Sequence, residues 1–195
     1  MNYADAIRKV VIAEGGSKIT DDPKDPGGLT KYGISQKAYP GLNIRALSES
    51  DAIAIYKRDY WDKILGDRLP YNVAYAIFNY AVNRGVTVAV QYAQKVVGVS
   101  QDGSMGPATL SAIIAKGEKE FLSQYLASAK QGYANLIALK PELAKFEKGW
   151  NNRIKDISDY VGVEPATLAA SGAVLLVTGF FLIIFLSSSK TLRTT

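Results

Sequence analysis

The sequence of 195 residues contains no histidine and no cysteine. This absence excludes a Ser-His-Asp triad, a Cys-His nucleophile and a zinc site with imidazole or thiolate ligands. It also excludes disulfide bonds, so cysteine usage says nothing about the redox compartment. Catalysis by carboxylates and simple binding remain, and a carboxylate-only metal site would suit harder ions. We expect no metal and no cofactor.

The sequence also has little excess of charge of either sign, since its net charge is only +5. No run of Lys and Arg is interleaved with aromatic residues, so no nucleic-acid partner is expected. The mild positive charge fits an anionic polymer such as a cell wall, and equally a surface that selects no partner by charge. Residues 1–8 lack the basic start and apolar core of a secretory signal.

Charged residues are missing altogether from positions 165–189. As a helix, Ala166–Leu186 would rise about 31 Å, close to the ~30 Å hydrocarbon core of a bilayer. The alternative is a buried core helix, which would need a following domain to cover it. We therefore predict a linker over 161–165, a transmembrane helix over 166–187 and a polar tail over 188–195. A lipid membrane is accordingly an expected partner.

Apolar periodicity and helix-end signals predict that the rest of the chain is mainly helical. A capping box of Ser48 and Asp51 starts one helix, and Pro107 suits the first turn of another. Turn formers fill residues 17–42, which leaves room for a short strand or hairpin at 29–34. The predicted helices cover residues 3–14, 48–62, 71–84, 86–97, 107–116, 118–139 and 142–160.

Glu14 is the main catalytic candidate. It lies on the apolar face of the first predicted helix and precedes Gly15 and Gly16, which end that helix. A general acid for a glycosidic oxygen must hold its proton near neutral pH, and removal from water raises the pKa of a carboxyl group. The pattern favours a glycosidase acid with open backbone beside it. A helix-end glutamate with a glycine cap has the same pattern.

The loop after Glu14 supplies further candidates. Asp22 or Asp25 would be the second carboxylate that positions a water or stabilises a cationic sugar. Thr30 would hold a water or a carboxylate, and Tyr32 would stack on a sugar ring. Asp-Pro sequences also start ordinary turns, and tyrosines are common in cores, so structural roles for these residues remain open.

Two amides on one predicted helix complete the set of candidates. Asn79 and Asn83 are four residues apart, so they share a face of a helix rich in alanine and aromatic residues. They either satisfy backbone groups or face a cleft that binds substrate.

Several segments together resemble a known family, the bacterial and phage muramidases of glycoside hydrolase family 108. The segments are EGG at 14–16, DPKDPGGLTKYGIS at 22–35, IY at 55–56 with YW at 60–61, FNYAVNRG at 78–85, and GWNNR at 149–153. Residues 94–110, with Asp102-Gly103 and Gly106-Pro107, are similar to that family's predicted peptidoglycan-binding portion. The resemblance covers residues 3–155.

The resemblance implies a mainly α, lysozyme-like helical domain with a small loop or hairpin region. It implies a catalytic region over 1–90, with a helical peptidoglycan-binding-like region over 91–160 packed on it. Glu14 corresponds to the catalytic glutamate, and Asp25 and Thr30 fall where related phage lysozymes place an Asp and a Thr. We assign Asp22, Tyr32, Asn79 and Asn83 to substrate binding, although Asn79 stands where an Asp is more usual.

The expected function is cleavage of the β-1,4 bond between N-acetylmuramic acid and N-acetylglucosamine in a peptidoglycan glycan strand. A lytic transglycosylase and an inactive wall-binding or assembly protein are the alternatives. The predicted anchor places the protein in a phage virion membrane or a host cell membrane, for phage entry or lysis.

Overall fold

The structure, a computed structural model, describes residues 2–21 and 27–167. Within them the chain is mainly helical, as predicted, with one two-stranded antiparallel sheet. The helices are α1 (Tyr3–Ala13), α2 (Glu49–Tyr56), α3 (Tyr71–Arg84), α4 (Val86–Val97), α5 (Pro107–Lys116), α6 (Glu118–Leu139) and α7 (Glu147–Val161). The strands are β1 (Thr30–Lys31) and β2 (Ile34–Ser35), and single 3₁₀ turns lie at Ile44–Ala46 and Gly66–Arg68.

The described chain divides into two compact units, the first ending at Asp59 and the second beginning at Tyr60. In the first unit, α1 packs on α2 through buried apolar side chains. Asn2 caps α1 by accepting hydrogen bonds from the amides of Ala4 and Asp5. Ser48 and Asp51 form the predicted capping box at the start of α2. These caps satisfy amides that a helix leaves unpaired at its N-terminus.

The second unit is built around α3, in which every residue from Val73 to Val82 is buried. Helices α4, α6 and α7 all pack against it. The Tyr80 ring lies edge-on to Tyr92, Tyr125 and Tyr133, with centroids 5.4–6.1 Å apart. Such edge-to-face pairs stabilise a core beyond their buried area. This cluster of tyrosines is the interior of the second unit.

Two predicted helices differ in detail from the observed ones. Helix α2 ends at Tyr56, and the chain continues as a wider π turn, Lys57–Trp61. At the end of this turn Trp61 is buried, and its indole N–H donates to the Asp67 carboxylate at 2.8 Å. The helix predicted from residue 142 begins instead at Glu147, after a 3₁₀ segment, Pro141–Phe146. In that segment Leu143 and Phe146 both turn inward, and their three-residue spacing fits a 3₁₀ turn.

The predicted transmembrane helix over 166–187 lies outside the described residues from position 168 onward, as does the polar tail. Within residues 2–21 and 27–167, no helix is long and apolar enough to cross a membrane. The predicted linker is described, and it does not leave the second unit at once. Ala166 donates its amide to the Ser123 carbonyl at 2.9 Å, and the Ser123 hydroxyl donates to the Glu164 carbonyl at 2.7 Å.

Candidate functional site

Glu14 lies at the C-terminal end of α1 with 8% of its surface exposed. It continues the buried face of Ile7, Val10 and Val11, because positions three and four apart share a helix face. Its amide donates to the Val10 carbonyl at 2.9 Å, which fixes the backbone in the last helical turn. Glu14 is therefore a largely buried residue at the end of an apolar helix face, as predicted.

The two glycines after Glu14 turn the chain sharply. Gly15 and Gly16 have φ values of 108° and 57°, in the left-handed region that glycine adopts without steric cost. The Gly16 amide donates to the Val11 carbonyl at 3.0 Å and thereby closes the helix. A Cβ placed on either glycine would meet no described atom within 4 Å. The described backbone next to Glu14 is thus open, which is what access to a polymer requires.

The hairpin of β1 and β2 lies directly against Glu14. Lys31 pairs with Ile34, so Tyr32 and Gly33 form a two-residue turn, with φ values of 54° and 73°. Positive φ at both positions is the type I′ geometry that suits a tight hairpin. A Cβ on Gly33 would lie 2.9 Å from the Glu14 Cβ and 2.6 Å from the Tyr56 hydroxyl oxygen. Only glycine fits between those two side chains.

Two hydrogen bonds fix this turn on opposite sides. The Tyr32 amide donates to the Gly16 carbonyl at 3.0 Å, and the Tyr56 hydroxyl donates to the Tyr32 carbonyl at 3.0 Å. Sequence reasoning assigns no role to Tyr56, because its partner lies 24 residues away and no local pattern signals the contact. The structure therefore adds Tyr56 and Gly33 to the surroundings of Glu14.

Thr30 and Tyr32, two of the predicted site residues, lie on this hairpin. The Thr30 hydroxyl donates to the Gly28 carbonyl at 3.0 Å, which leaves its oxygen lone pairs as acceptors. The backbones of Thr20 and Thr30 exchange two hydrogen bonds, of 2.9 and 2.8 Å, that close the loop between them. Tyr32 is 9% exposed, and the Lys31 ammonium lies 5.4 Å from its ring centroid. Their catalytic and binding roles stay predictions.

Asp22 and Asp25 lie outside the described residues, so their places relative to Glu14 stay predictions. Their described neighbour Asp21 forms an exposed ion pair of 2.7 Å with Arg45. Across residues 2–21 and 27–167, no group of three or more Asp and Glu side chains is arranged to hold a metal ion.

Asn79 and Asn83 belong to α3, in the second unit. The Asn79 carbonyl oxygen Oδ1 accepts from Arg153 at 2.8 Å, and its Nδ2 donates to the Tyr75 hydroxyl at 3.3 Å. Asn83 Oδ1 accepts from the Tyr133 hydroxyl at 2.7 Å. Both amides thus tie α3 to neighbouring helices, through side-chain partners rather than the backbone groups named as one alternative from the sequence. Their predicted part in substrate binding is not tested by these contacts.

The turn between α4 and α5 is held by one buried side chain. Gln94 is 1% exposed, and its Nε2 donates to Asp102 at 2.7 Å and to the Ser104 carbonyl at 3.1 Å. Its Oε1 accepts from the Gly103 amide at 2.9 Å. The Gln94 hydrogen bond is the largest of the effects that lower the pKa of Asp102. The Asp-Gly sequence is therefore a fixed turn, in agreement with its sequence pattern.

Comparisons with known proteins agree with this architecture. Residues 7–85 match the family described as Glycosyl hydrolase 108, and residues 88–155 match the one described as Predicted Peptidoglycan domain. A solved structure described as "Structure of Brucella abortus SagA" is 34% identical, covers 82% of this chain and 92% of that chain, and has a TM-score of 0.70. No curated protein matches. The predicted mainly helical, lysozyme-like fold is confirmed.

Proposed function

Because the chain belongs to glycosyl hydrolase family 108 and is a glycosidase with a lysozyme-like fold, we propose that it is a muramidase. Its substrate would be the glycan strand of peptidoglycan, cleaved at the β-1,4 bond between N-acetylmuramic acid and N-acetylglucosamine. The observation that carries this proposal is the burial of Glu14, a residue 8% exposed at the end of an apolar helix face.

Glu14 is the proposed general acid. A glycosidic oxygen is a poor leaving group until it is protonated, so the acid must still carry its proton when the glycan binds. Removal from water favours the neutral form of a carboxyl group. The left-handed turn at Gly15 and Gly16 leaves the described backbone beside the carboxyl without side chains, which supports approach of a bulky sugar.

Asp25 and Thr30 are proposed to act on the other side of the scissile bond. An ionised Asp25 would stabilise the cationic sugar or activate a water, as the second carboxylate of a glycosidase does. Thr30 Oγ1 already donates to the Gly28 carbonyl, so its free lone pairs would accept a hydrogen bond from that water. Asp22, Tyr32, Asn79 and Asn83 are the proposed contacts to the rest of the glycan.

Two reactions can follow protonation of the glycosidic oxygen by Glu14, and they differ in the nucleophile. Attack by water gives hydrolysis and a reducing N-acetylmuramic acid end, whereas attack by the muramyl 6-hydroxyl gives an anhydro end, as in a lytic transglycosylase. We favour hydrolysis because the family carries the glycosyl hydrolase description. Both outcomes need one well-placed acid, so Glu14 has the same role in each.

The second unit supports binding to the wall. Residues 88–155 match the Predicted Peptidoglycan domain, and most of the described second unit lies within that range. We propose that this unit holds the glycan or its peptides while the first unit cuts.

Membrane attachment through residues 166–187 is part of the proposal. The run is long enough and uncharged enough to span a bilayer. The hydrogen bonds of Ser123 to Glu164 and Ala166 would hold the second unit close to the start of such a helix. The Phe181→Asp and Ile184→Asp double variant should then no longer float with lipid vesicles, while the wild-type chain does.

A membrane-attached wall enzyme suits a phage virion membrane, for entry into a host, or a host cell membrane, for lysis. We favour the virion, because an enzyme carried there meets the wall of a new host from outside. Mass spectrometry of purified virions checks this placement. Absence of the protein from the particle would favour the host membrane.

The test of the proposed reaction is product analysis. The full chain in detergent is incubated with purified sacculi, and the soluble fragments are identified by mass spectrometry. Reducing N-acetylmuramic acid ends are expected. Anhydro ends would mean that the reaction is transglycosylation rather than hydrolysis. Sacculi that bind the protein but stay intact would show a wall-binding protein without this activity.

A further inference from the structure

The turn of Tyr32 and Gly33 fills the space between the proposed acid and a buried tyrosine of another helix. From the Cβ position of Gly33, the Glu14 Cβ is 2.9 Å away and the Tyr56 hydroxyl 2.6 Å away. Tyr56 itself ends α2 and is 2% exposed. The three elements therefore form a stack in which the hairpin turn is the middle layer.

The turn has no freedom to relax toward an ordinary backbone conformation. Tyr32 has a φ of 54°, which residues with a Cβ rarely adopt. Such a conformation persists only where surrounding contacts over-determine it. Here the contacts are the Tyr32 amide to Gly16 and the Tyr32 carbonyl to Tyr56, each 3.0 Å long. Removal of the Tyr56 contact leaves the turn held by the Gly16 contact and by the pairing of β1 with β2.

These two contacts have different origins. The Gly16 contact belongs to the backbone that follows Glu14, so it moves together with the acid. The Tyr56 contact comes from α2, whose N-terminus is fixed by its own capping box. Tyr56 is therefore a side chain of α2 that contacts the turn beside Glu14, in addition to the direct packing of α1 on α2.

We propose that Tyr56 is a positioning residue for Glu14, which it holds through the Tyr32–Gly33 turn. The inference depends on the proposed role of Glu14 as general acid. The Tyr56 hydroxyl keeps the turn pressed on the Glu14 side chain, and the turn keeps the carboxyl group at the place where it protonates the leaving oxygen.

The direct test is Tyr56→Phe, which removes the hydroxyl and keeps the ring. The kcat on soluble glycan strands should fall about tenfold, because small errors in the place of a catalytic group are costly. The KM should stay within about twofold, because three of the four proposed glycan contacts, Asp22, Asn79 and Asn83, lie outside the turn. A variant that is merely less stable would lower the amount of active enzyme in proportion to its unfolded fraction, which thermal unfolding measures separately.

Tyr125→Phe is the matched control. Tyr125 is also a buried tyrosine whose hydroxyl donates to a backbone carbonyl, that of Ala89 at 3.3 Å. It lies on α6 in the second unit, which carries none of the proposed catalytic residues. Its kcat should stay within about twofold of the wild type at a temperature where both variants are folded.

A double-variant comparison separates this proposal from the assignment of the acid. If Tyr56 acts through Glu14, Tyr56→Phe should not lower the residual rate of Glu14→Gln any further. An equal tenfold loss in both backgrounds would overturn the positioning role, as would a wild-type kcat in folded Tyr56→Phe while Glu14→Gln is inactive. Full activity of Glu14→Gln itself would instead overturn the proposed function.

Discussion

The first and second units differ in the kind of residue that they bury. In the second unit the buried positions of α3 form one continuous stretch, and tyrosines fill the space between regular helices. In the first unit a carboxylic acid is buried, beside a turn whose two residues both have positive φ. A buried carboxylic acid and a strained turn thus lie side by side around Glu14, which is where a catalytic site is expected to hold such features.

The hydrogen bonds of buried polar groups also differ between the two units. Asn79 and Gln94 of the second unit have their side-chain amides hydrogen-bonded, Asn79 to Tyr75 of its own helix and to Arg153 of α7, and Gln94 to the turn after α4. These bonds satisfy buried groups and specify the packing. The hydrogen bonds of the Tyr32–Gly33 turn instead maintain an unfavourable backbone next to the proposed acid. The first set stabilises the fold, and the second set shapes the site.

The largest expected effect on stability lies in the second unit. Phe121 is fully buried and stacks on Tyr125, with ring centroids 5.4 Å apart. Phe121→Ala should lower the free energy of unfolding by about 3–5 kcal/mol, because it leaves a cavity in a packed core. Urea unfolding measures this loss. The kcat of the folded variant should not change, and a fall in kcat would mean that the second unit takes part in the chemistry.

A smaller effect is expected at the turn of the first unit. Gly33→Ala should lower stability by about 1–3 kcal/mol, because it combines a strained φ with overlap against Glu14 and Tyr56. Its kcat should also fall, by about tenfold or more, since the acid is displaced.

The matched control for that variant is Gly98→Ala. Gly98 lies in the second unit and also has a positive φ, of 72°, but a Cβ there meets no described atom within 4 Å. It should lose about 1 kcal/mol from backbone strain alone and keep its kcat. Equal losses of kcat at both glycines would show that a general loss of stability, rather than contact with Glu14, lowers the rate.

The smallest expected effect is on the stability of the fold at alkaline pH. Burial raises the pKa of Tyr75 to about 12, above the usual value near 10. The folded state thus favours the neutral phenol, so this contribution to stability is complete below pH 10 and is lost as the pH rises toward 12. Urea midpoints measured between pH 9 and 12 should depend less on pH in Tyr75→Phe.

Tyr3→Phe serves as the control for that measurement, because Tyr3 is among the exposed large side chains. Its midpoints should follow the wild-type curve. An identical pH dependence in Tyr75→Phe and the wild type would mean that the other buried tyrosines, Tyr80 and Tyr125, account for the alkaline loss.

Local signals in the sequence were sufficient for most of the helices. Gly85 and Gly98 end helices with positive φ, and Pro107 begins α5, where its missing amide is not needed. The burial of Glu14 was predictable for the same reason, since its spacing from Val10 and Val11 is a property of the helix itself.

Contacts between distant segments could not be predicted in this way. A type I′ turn normally requires residues such as Asn-Gly, so Tyr32-Gly33 gives a weak signal for it. The Tyr56 hydroxyl depends on how α2 packs, which no local pattern encodes. The 3₁₀ segment before α7 is a further case, because inward positions at 143 and 146 fit either helix type until the packing is known.

The most direct test of the account is the rate at which Glu14→Gln releases new reducing ends from sacculi, measured beside Glu49→Gln. Glu49 is the other glutamate of the first unit, and its side chain is 51% exposed. We predict that Glu14→Gln loses on the order of 10²-fold or more in rate at an unchanged melting temperature, while Glu49→Gln stays close to wild type. A folded Glu14→Gln variant that cleaves at the wild-type rate would contradict the central claim.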